Sequence, residues 1–127
     1  MGLMKILPDT NVFIYALAGR DPFYTVIKEK TAQNELLLSV IVIAEYLVKA
    51  NSENIKMFDT LINNVRVIPI DTEVARLAAQ MRKTSLSGKN KLHLADCFIA
   101  AQCQLNHATL ATNNPRDYPK NLPKVDF

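Results

Sequence analysis

The sequence predicts an α/β domain in which a central, mainly parallel sheet of four to five strands is covered by helices on both faces. Short apolar segments alternate with longer amphipathic segments along the 127 residues, and this alternation is typical of parallel strands joined by helical crossovers. The length suits one domain with one core. We find no internal repeat, so we assign residues 1–127 to a single domain.

The first third of the chain predicts a strand followed by two helices. Residues 3–7 form an apolar run that ends at a proline, which is typical of a central strand, and residues 11–19 have helical apolar spacing up to a glycine. Asp21 stands at an N-cap position and Pro22 in the first turn of the second helix, which closes at Asn34.

The middle of the chain predicts one strand and two further helices. Residues 35–39 form a second buried strand. Residues 40–50 are apolar almost throughout, and their length favours a helix over a strand. Residues 51–64 form a clear amphipathic helix, for which either Asn51 or Ser52 is the N-cap.

The second half continues the alternation with a strand, a helix, a mobile loop, a buried helix and a strand, at residues 65–70, 71–84, 85–91, 92–105 and 107–112. Pro69 is expected at the end of its strand rather than in the middle, because proline cannot donate a ladder hydrogen bond. The tail, residues 113–127, contains three prolines and is expected to be loop with a short final edge strand.

Composition and charge exclude several classes of protein. The chain is 49% hydrophobic and 21% charged, as in a water-soluble domain, and its net charge of +3 permits a polyanionic partner without requiring one. The longest apolar run is interrupted by polar residues and is too short to span a membrane, and we expect no signal peptide. Cys97 and Cys103 form neither a redox pair nor a zinc set, so we expect reduced core thiols and a cytoplasmic protein.

Three acidic residues occur inside otherwise apolar patterns: Asp9, Glu45 and Asp96. Burying an unpaired carboxylate costs several kcal/mol. In a parallel α/β sheet, the loops and helices that follow the strands meet at the carboxyl edge, where these three residues are expected to converge. Carboxylates that converge repel one another unless a cation holds them, and Mg²⁺ or Mn²⁺ prefers such oxygen ligands.

Each acid also has a purely structural interpretation. Asp9 is equally suited to be the N-cap of the helix that follows it. Asp96 suits a cap at the start of its own helix, and Glu45 suits the solvent-facing side of a helix whose other side is buried. Only the three acids taken together favour a metal site.

The chain resembles the PIN domain family, and its size is similar to that of VapC-type toxins of toxin–antitoxin pairs. Four motifs carry the resemblance, in order: "LPDTNVFIYAL", "SVIVIAEYLV", "LHLADCFIAAQC" and "TLATNNPRDY". They cover almost the whole chain, and four motifs in series are more specific than any one. The resemblance implies a PIN-like fold and a metal-dependent endoribonuclease.

Carried over residue by residue, the resemblance makes Asp9, Glu45 and Asp96 the acids that hold Mg²⁺ or Mn²⁺. The chain departs from the family at the fourth position. Asn114 stands where family members often have an acid, and Asp117 is the nearest true acid. Either residue is expected to complete the site. The resemblance also gives Thr10 and Thr112 as hydroxyl groups near the acids, although turn-forming roles fit them equally well.

The resemblance further implies an RNA substrate, a homodimer and an antitoxin protein that covers the site. With only two histidines, His93 and His107, an attacking water activated by metal is favoured over a histidine pair. Basic residues suited to contact phosphates are Arg20, Arg82, Lys83, Lys89, Lys91 and Arg116. Apolar residues suited to interfaces, or to plain core packing, are Phe13, Ile14, Tyr15, Phe23, Tyr24 and Ile27. The alternative function is a non-catalytic PIN-like module for RNA binding or assembly.

Overall fold

The computed structural model describes residues 4–127, with Asp126 described by its backbone alone. Along these residues short strands alternate with helices. The strands are β1 (Ile6–Pro8), β2 (Leu37–Ser39), β3 (Arg66–Ile68), β4 (Thr109–Thr112) and β5 (Lys124–Asp126). The helices are α1 (Thr10–Leu17), α2 (Phe23–Ala32), α3 (Val40–Lys49), α4 (Ser52–Ile62), α5 (Thr72–Leu86) and α6 (Leu94–Leu105), and a 3₁₀ turn, η1, spans Pro115–Asp117.

All the strand pairs are parallel, as predicted. A three-stranded sheet has the order β1-β4-β5, and a two-stranded sheet pairs β2 with β3. One isolated parallel bridge between Ile6 and Leu36 connects the two sheets, next to a hydrogen bond of 2.9 Å from the Ile6 N–H to the Glu35 carbonyl. The final edge strand expected in the tail is present as β5.

Helices cover both faces of the sheet because successive strand residues point in opposite directions. Ile6 and Ala111 belong to an apolar cluster with residues of α1 and α2. Leu7 and Leu110 pair across β1 and β4 and belong to the main cluster, together with Ile99 of α6. A third cluster lies between α5 and α6.

Local capping explains where several helices begin. The Ser39 Oγ accepts from the Ile41 N–H at 3.1 Å, and the Asp71 Oδ1 accepts from the Val74 N–H at 2.9 Å. Asn51, rather than Ser52, is the N-cap of α4, since its side chain and that of Asn54 form a reciprocal capping box. These caps confirm the starts predicted for α3, α4 and α5.

Several boundaries differ from the prediction. Helix α5 continues to Leu86, so Ser85 and Leu86 are helical rather than part of the loop. Ser85 stays in the last turn because its Oγ donates to the Arg82 carbonyl at 2.7 Å. Helix α1 ends at Leu17, two residues before Gly19, whose φ of +79° is accessible mainly to glycine. Strand β1 spans Ile6–Pro8, so Met4 and Lys5 of the predicted strand precede it, and the Leu3 position lies outside the described residues.

Helix α2 begins at Phe23, one residue later than the proline assigned to its first turn. Asp21 nevertheless acts as its polar cap, because the Asp21 Oδ1 accepts from both the N–H and the hydroxyl of Thr25, at 3.0 and 2.6 Å. These two bonds stabilise the start of α2 although Pro22, and not the predicted Asp21, occupies the N-cap position.

Two further expectations concern the membrane and the cysteines. Among residues 4–127 no helix combines the length and the apolarity needed to cross a bilayer. Cys97 and Cys103 are buried free thiols, as predicted. Burial raises the pKa of the Cys103 thiol to about 12, so this side chain acts as an apolar core residue.

Candidate active site

Four carboxylates line one pocket of about 410 Å³ at the carboxyl edge of the sheet. Asp9 follows β1 directly, and Glu45 lies in the second turn of α3, the helix that follows β2. Asp96 lies in the first turn of α6, and Asp117 in the turn η1 after β4. Parallel strands direct their following segments to the same edge, so acids distant in sequence meet here.

Asp9 is both a helix cap and a wall of the pocket. Its Oδ1 accepts from the Val12 N–H at 2.9 Å and caps α1, while the Tyr118 hydroxyl donates to its Oδ2 at 3.3 Å. The residue is only 4% exposed. Burial raises the pKa of Asp9, and hydrogen bonds from Thr112, Val12 and Tyr118 partly offset this effect.

Asp96 carries the clearest electrostatic signal of the site. Burial, and next the negative charge of Asp117, raise the pKa of Asp96 from 3.8 to about 6, whereas His93 acts in the opposite direction. The Tyr118 hydroxyl lies 3.5 Å from the Asp96 Oδ1. The N-cap of α6 is His93, not Asp96. Capping therefore does not explain the position of this acid.

Glu45 is exposed on α3 and still belongs to the pocket. The Thr10 hydroxyl donates a hydrogen bond to the Glu45 Oε1, across from the start of α1. Thr10 directly follows Asp9 in the chain. The first turn of α1 therefore holds both acids, since the Val12 N–H binds Asp9 and the Thr10 hydroxyl binds Glu45. The interpretation that Glu45 simply faces solvent does not account for this bond.

The structure brings Asp117, and not Asn114, into the pocket lining. Asn114 is exposed at the start of η1, and its N–H donates to the Thr112 Oγ1 at 2.9 Å. The charge of Asp117 raises the pKa of both Asp9 and Asp96, which indicates that it lies within electrostatic range of both. Asp117 thus lines the pocket together with the other three acids, and Asn114 does not.

Sequence reasoning missed four residues of the pocket: Asn11, Val48, Lys49 and Tyr118. Tyr118 is buried and places its hydroxyl between Asp9 and Asp96. Burial, and next the proximity of these two acids, raises the pKa of Tyr118 far above its ordinary value, so Tyr118 remains a hydrogen-bond donor. Lys49, one turn after Glu45, also lines the pocket. The only signals were the position of Tyr118 beside Asp117 and the spacing of Lys49 from Glu45.

The donor set suits a hard divalent cation, with water completing the coordination. Within residues 4–127, no three acidic, histidine or cysteine side chains surround a single point closely enough to enclose an ion. Mg²⁺ commonly binds through one or two carboxylates and retains several waters. Asp9 and Asp96, which face a common hydroxyl, are the pair that fits this mode, and Glu45 and Asp117 extend the negative wall.

The basic residues suggested by the sequence differ in whether they contact other groups of the protein. Arg82 donates from Nη1 to the Leu92 carbonyl at 2.6 Å, and the Arg20 guanidinium lies 4.2 Å from the ring centroid of Tyr15. Both therefore make contacts within the protein. Lys83, Lys89, Lys91 and Arg116 are exposed, and so is Arg20 despite its contact with Tyr15.

The apolar residues suggested for interfaces belong mainly to the core. Phe13, Phe23 and Ile27 are buried, so core packing explains them. Ile14 and Tyr15 are half-buried, and Tyr24 is 42% exposed. Of this set, only Ile14, Tyr15 and Tyr24 have exposed surface that a partner could contact.

Comparison with known families identifies the class of the fold. The PIN domain model matches residues 6–124, and the chain belongs to the PIN domain family. The resemblance seen in the four motifs is therefore confirmed. A comparison with curated proteins gave no significant match.

Solved structures with the same fold are toxin–antitoxin complexes. The chain is similar to VapBC2 from Rickettsia felis bound to a DNA fragment from its promoter, with 22% identity, a TM-score of 0.81 and coverage of 98% of this chain and 99% of that one. A toxin–antitoxin complex from Klebsiella pneumoniae matches with 23% identity, a TM-score of 0.80 and coverage of 95% and 96%. VapBC-1 from nontypeable Haemophilus influenzae matches with 23% identity, a TM-score of 0.76 and coverage of 97% and 98%.

Proposed function

We propose that this PIN domain is a metal-dependent endoribonuclease and the toxin of a toxin–antitoxin pair. The observation that supports this proposal most strongly is the pocket in which Asp9, Glu45, Asp96 and Asp117 meet at the carboxyl edge of the sheet. Asp9 is buried and Asp96 half-buried, and both have raised pKa values, a combination that clusters at functional sites. The proposed location is the cytoplasm, where buried free thiols stay reduced.

Mg²⁺ or Mn²⁺ is the proposed cofactor, held by Asp9 and Asp96 with Glu45 and Asp117 nearby. When bound, such an ion lowers the pKa of a coordinated water and stabilises negative charge on a phosphodiester. The raised pKa of Asp96 supports this assignment, because a positive charge at this position offsets the unfavourable burial and repulsion of the carboxylates.

The neighbouring hydroxyl groups orient these acids. Thr10 holds Glu45, and Tyr118 lies between Asp9 and Asp96. Such outer partners fix the direction in which a carboxylate presents its oxygens, and losing one commonly reduces metal affinity or activity by about 10- to 100-fold. The proposed chemistry therefore depends on residues that do not themselves carry charge.

Single-stranded or looped RNA is the proposed substrate. Asp9 is almost fully buried, so a phosphate must approach the floor of the pocket, and a flexible backbone can bend to do so. Lys49 at the pocket wall is suited to contact a phosphate next to the one that is cleaved. Which RNA sequence is chosen depends on base contacts along the strand.

An antitoxin protein and a second copy of the chain are the proposed partners. The similar solved structures are complexes of toxins with antitoxins, which supports a partner that covers the pocket. Val48, 82% exposed, and Ile14 line the pocket beside the acids. This apolar rim is suited to burial against a protein surface.

Digestion of total cellular RNA with Mn²⁺ tests the enzymatic function. Wild type should generate new RNA 5′ ends, and Asp96→Asn should not, whereas Asp59→Asn, an exposed acid on α4, should cleave as wild type does. Equal cleavage by wild type and Asp96→Asn would refute the assignment of the site. RNA binding without cleavage by wild type, in Mg²⁺ and in Mn²⁺, would support the non-catalytic RNA-binding module instead.

Induced expression tests the toxin role separately. Wild type should arrest growth, and Asp96→Asn, at an equal protein level, should not. Unimpaired growth with active, soluble wild type would contradict the toxin role while leaving the nuclease assignment intact.

A further inference from the structure

The loop between α5 and α6 is fixed by hydrogen bonds at its C-terminal end, next to α6. Arg82 of α5 donates to the Leu92 carbonyl at 2.6 Å, and the Leu92 N–H donates to the Ser85 Oγ at 3.1 Å. The Leu92 side chain is buried against the α5–α6 cluster. The segment that returns from the loop tip to α6 therefore has a fixed position, which a solvated lysine-rich loop does not need.

The tip of the same loop is attached to the turn that carries Asp117. The Asn90 side-chain Nδ2 donates a hydrogen bond to the carbonyl of Arg116 in η1. Lys89 and Lys91 flank Asn90, and consecutive Cα atoms are only about 3.8 Å apart. Two lysines and Arg116 are thus gathered next to an acid of the pocket, although Asn90 and Arg116 are 26 positions apart along the chain.

The three gathered cations have no partners of their own. Lys89, Lys91 and Arg116 are exposed, and across residues 4–127 none of their side chains forms a hydrogen bond or an ion pair. Uncompensated positive charges concentrated in one place repel one another and attract a polyanion. Because these cations lie beside Asp117, a polyanion that binds them also lies next to the pocket.

We propose that Lys89, Lys91 and Arg116 form a basic rim that binds the phosphates of single-stranded RNA next to the pocket, and that Asn90 positions this rim. The proposal rests on the ribonuclease function proposed above. A flexible strand can contact the rim and still bend to the buried Asp9, whereas a rigid duplex cannot. The loop is therefore part of the substrate-binding surface and not only a connection between helices.

Fluorescence anisotropy with a labelled single-stranded RNA, in EDTA so that no cleavage occurs, tests the rim. Lys89→Gln with Lys91→Gln should weaken binding about tenfold at low salt. It should also reduce the slope of log affinity against log salt by about 1.4, since each phosphate contact contributes about 0.7. The matched control is Lys5→Gln with Arg66→Gln, two exposed cations at the amino edge of the sheet, which should bind as wild type does.

Asn90→Ala tests the positioning role because it removes no charge. It should weaken RNA binding about threefold or more with an unchanged melting temperature. Asn63→Ala, which loses a similar bond to the Asp59 carbonyl on α4, should have no effect. Restoration of wild-type affinity by Asn90→Gln, with its longer amide side chain, would strengthen the positioning role.

Two results would overturn the proposal. One is unchanged affinity and salt slope in the lysine double variant, and the other is tighter binding of a duplex DNA of the same sequence than of the single-stranded RNA. Both are binding measurements, so they are independent of cleavage. Loss of the ribonuclease function would show instead as wild type that binds RNA normally and fails to cleave it with Mn²⁺.

Discussion

Replacing Asp96 with asparagine should make the protein more stable at pH 7.5 when no divalent cation is present. The pKa of Asp96 rises from 3.8 to about 6 in the folded chain, which corresponds to ~3 kcal/mol in the free energy of unfolding. The carboxyl group is only partly buried, so solvent screens much of this effect. We expect a gain of about 1 kcal/mol for Asp96→Asn.

The gain in the free energy of unfolding for Asp96→Asn should depend on pH. As the pH falls through the unfolded pKa of 3.8, the Asp96 carboxyl becomes protonated in the unfolded as well as the folded chain, so the difference in stability between the variant and wild type should disappear. Between pH 4 and pH 6 the folded chain holds more protons than the unfolded chain, and wild-type stability falls as pH rises. Burial and Asp117 are the main causes, Glu45 and Asp9 add to them, and His93 opposes them.

Urea denaturation followed by circular dichroism, in EDTA from pH 4 to pH 7.5, measures this dependence. A gain of about 1 kcal/mol raises the melting temperature by about 4 °C in a domain of this size. Asp59→Asn should change stability by less than about 0.5 kcal/mol. Addition of Mn²⁺ should stabilise wild type more than Asp96→Asn. A variant no more stable than wild type at pH 7.5, or a gain that persists at pH 4, would refute this reasoning.

Three further substitutions test individual contacts. Tyr118→Phe keeps the buried ring and removes the hydroxyl, so stability at neutral pH should fall by about 1 kcal/mol, measured by urea denaturation, because Asp9 loses a donor; no loss would contradict the contact. Thr10→Val should leave the melting temperature unchanged and slow RNA cleavage about tenfold, because Glu45 is no longer held. Gln102→Ala should cost about 3 kcal/mol in urea denaturation, because its buried amide donates to two backbone carbonyls at 3.1 Å; intact stability would show that these bonds are dispensable.

The sequence predicted the order of helices and parallel strands because both signals are local. Apolar periodicity and capping residues act within one or two turns, so α3, α4 and α5 begin at the expected positions. The end of α5 was less predictable. Ser85 is held in the helix by its local bond to the Arg82 carbonyl and by bonds across the loop that link Arg82 and Ser85 to Leu92. The bonds across the loop leave no local pattern in the sequence.

The candidate site was predictable where an acid interrupts an apolar pattern and not elsewhere. Asp9 and Asp96 stand out in this way. Asp117 lies among prolines and polar residues, where an acid is unremarkable, and the choice between it and Asn114 depends on how η1 turns. Tyr118 was missed because a buried aromatic residue at this position looks like ordinary core, and only its hydroxyl reaches the acids.

The two interpretations of Asp9, helix cap and member of an acidic site, are not alternatives. The Asp9 Oδ1 accepts from the Val12 N–H and so starts α1, which fixes the side-chain torsions of the residue. The second oxygen, Oδ2, consequently points to Tyr118 and the pocket. A cap that orients one oxygen in this way presents the other without further loss of side-chain entropy, because the first bond has already ordered the carboxylate. A metal site at the start of a helix therefore gains in rigidity from the same bond that begins the helix.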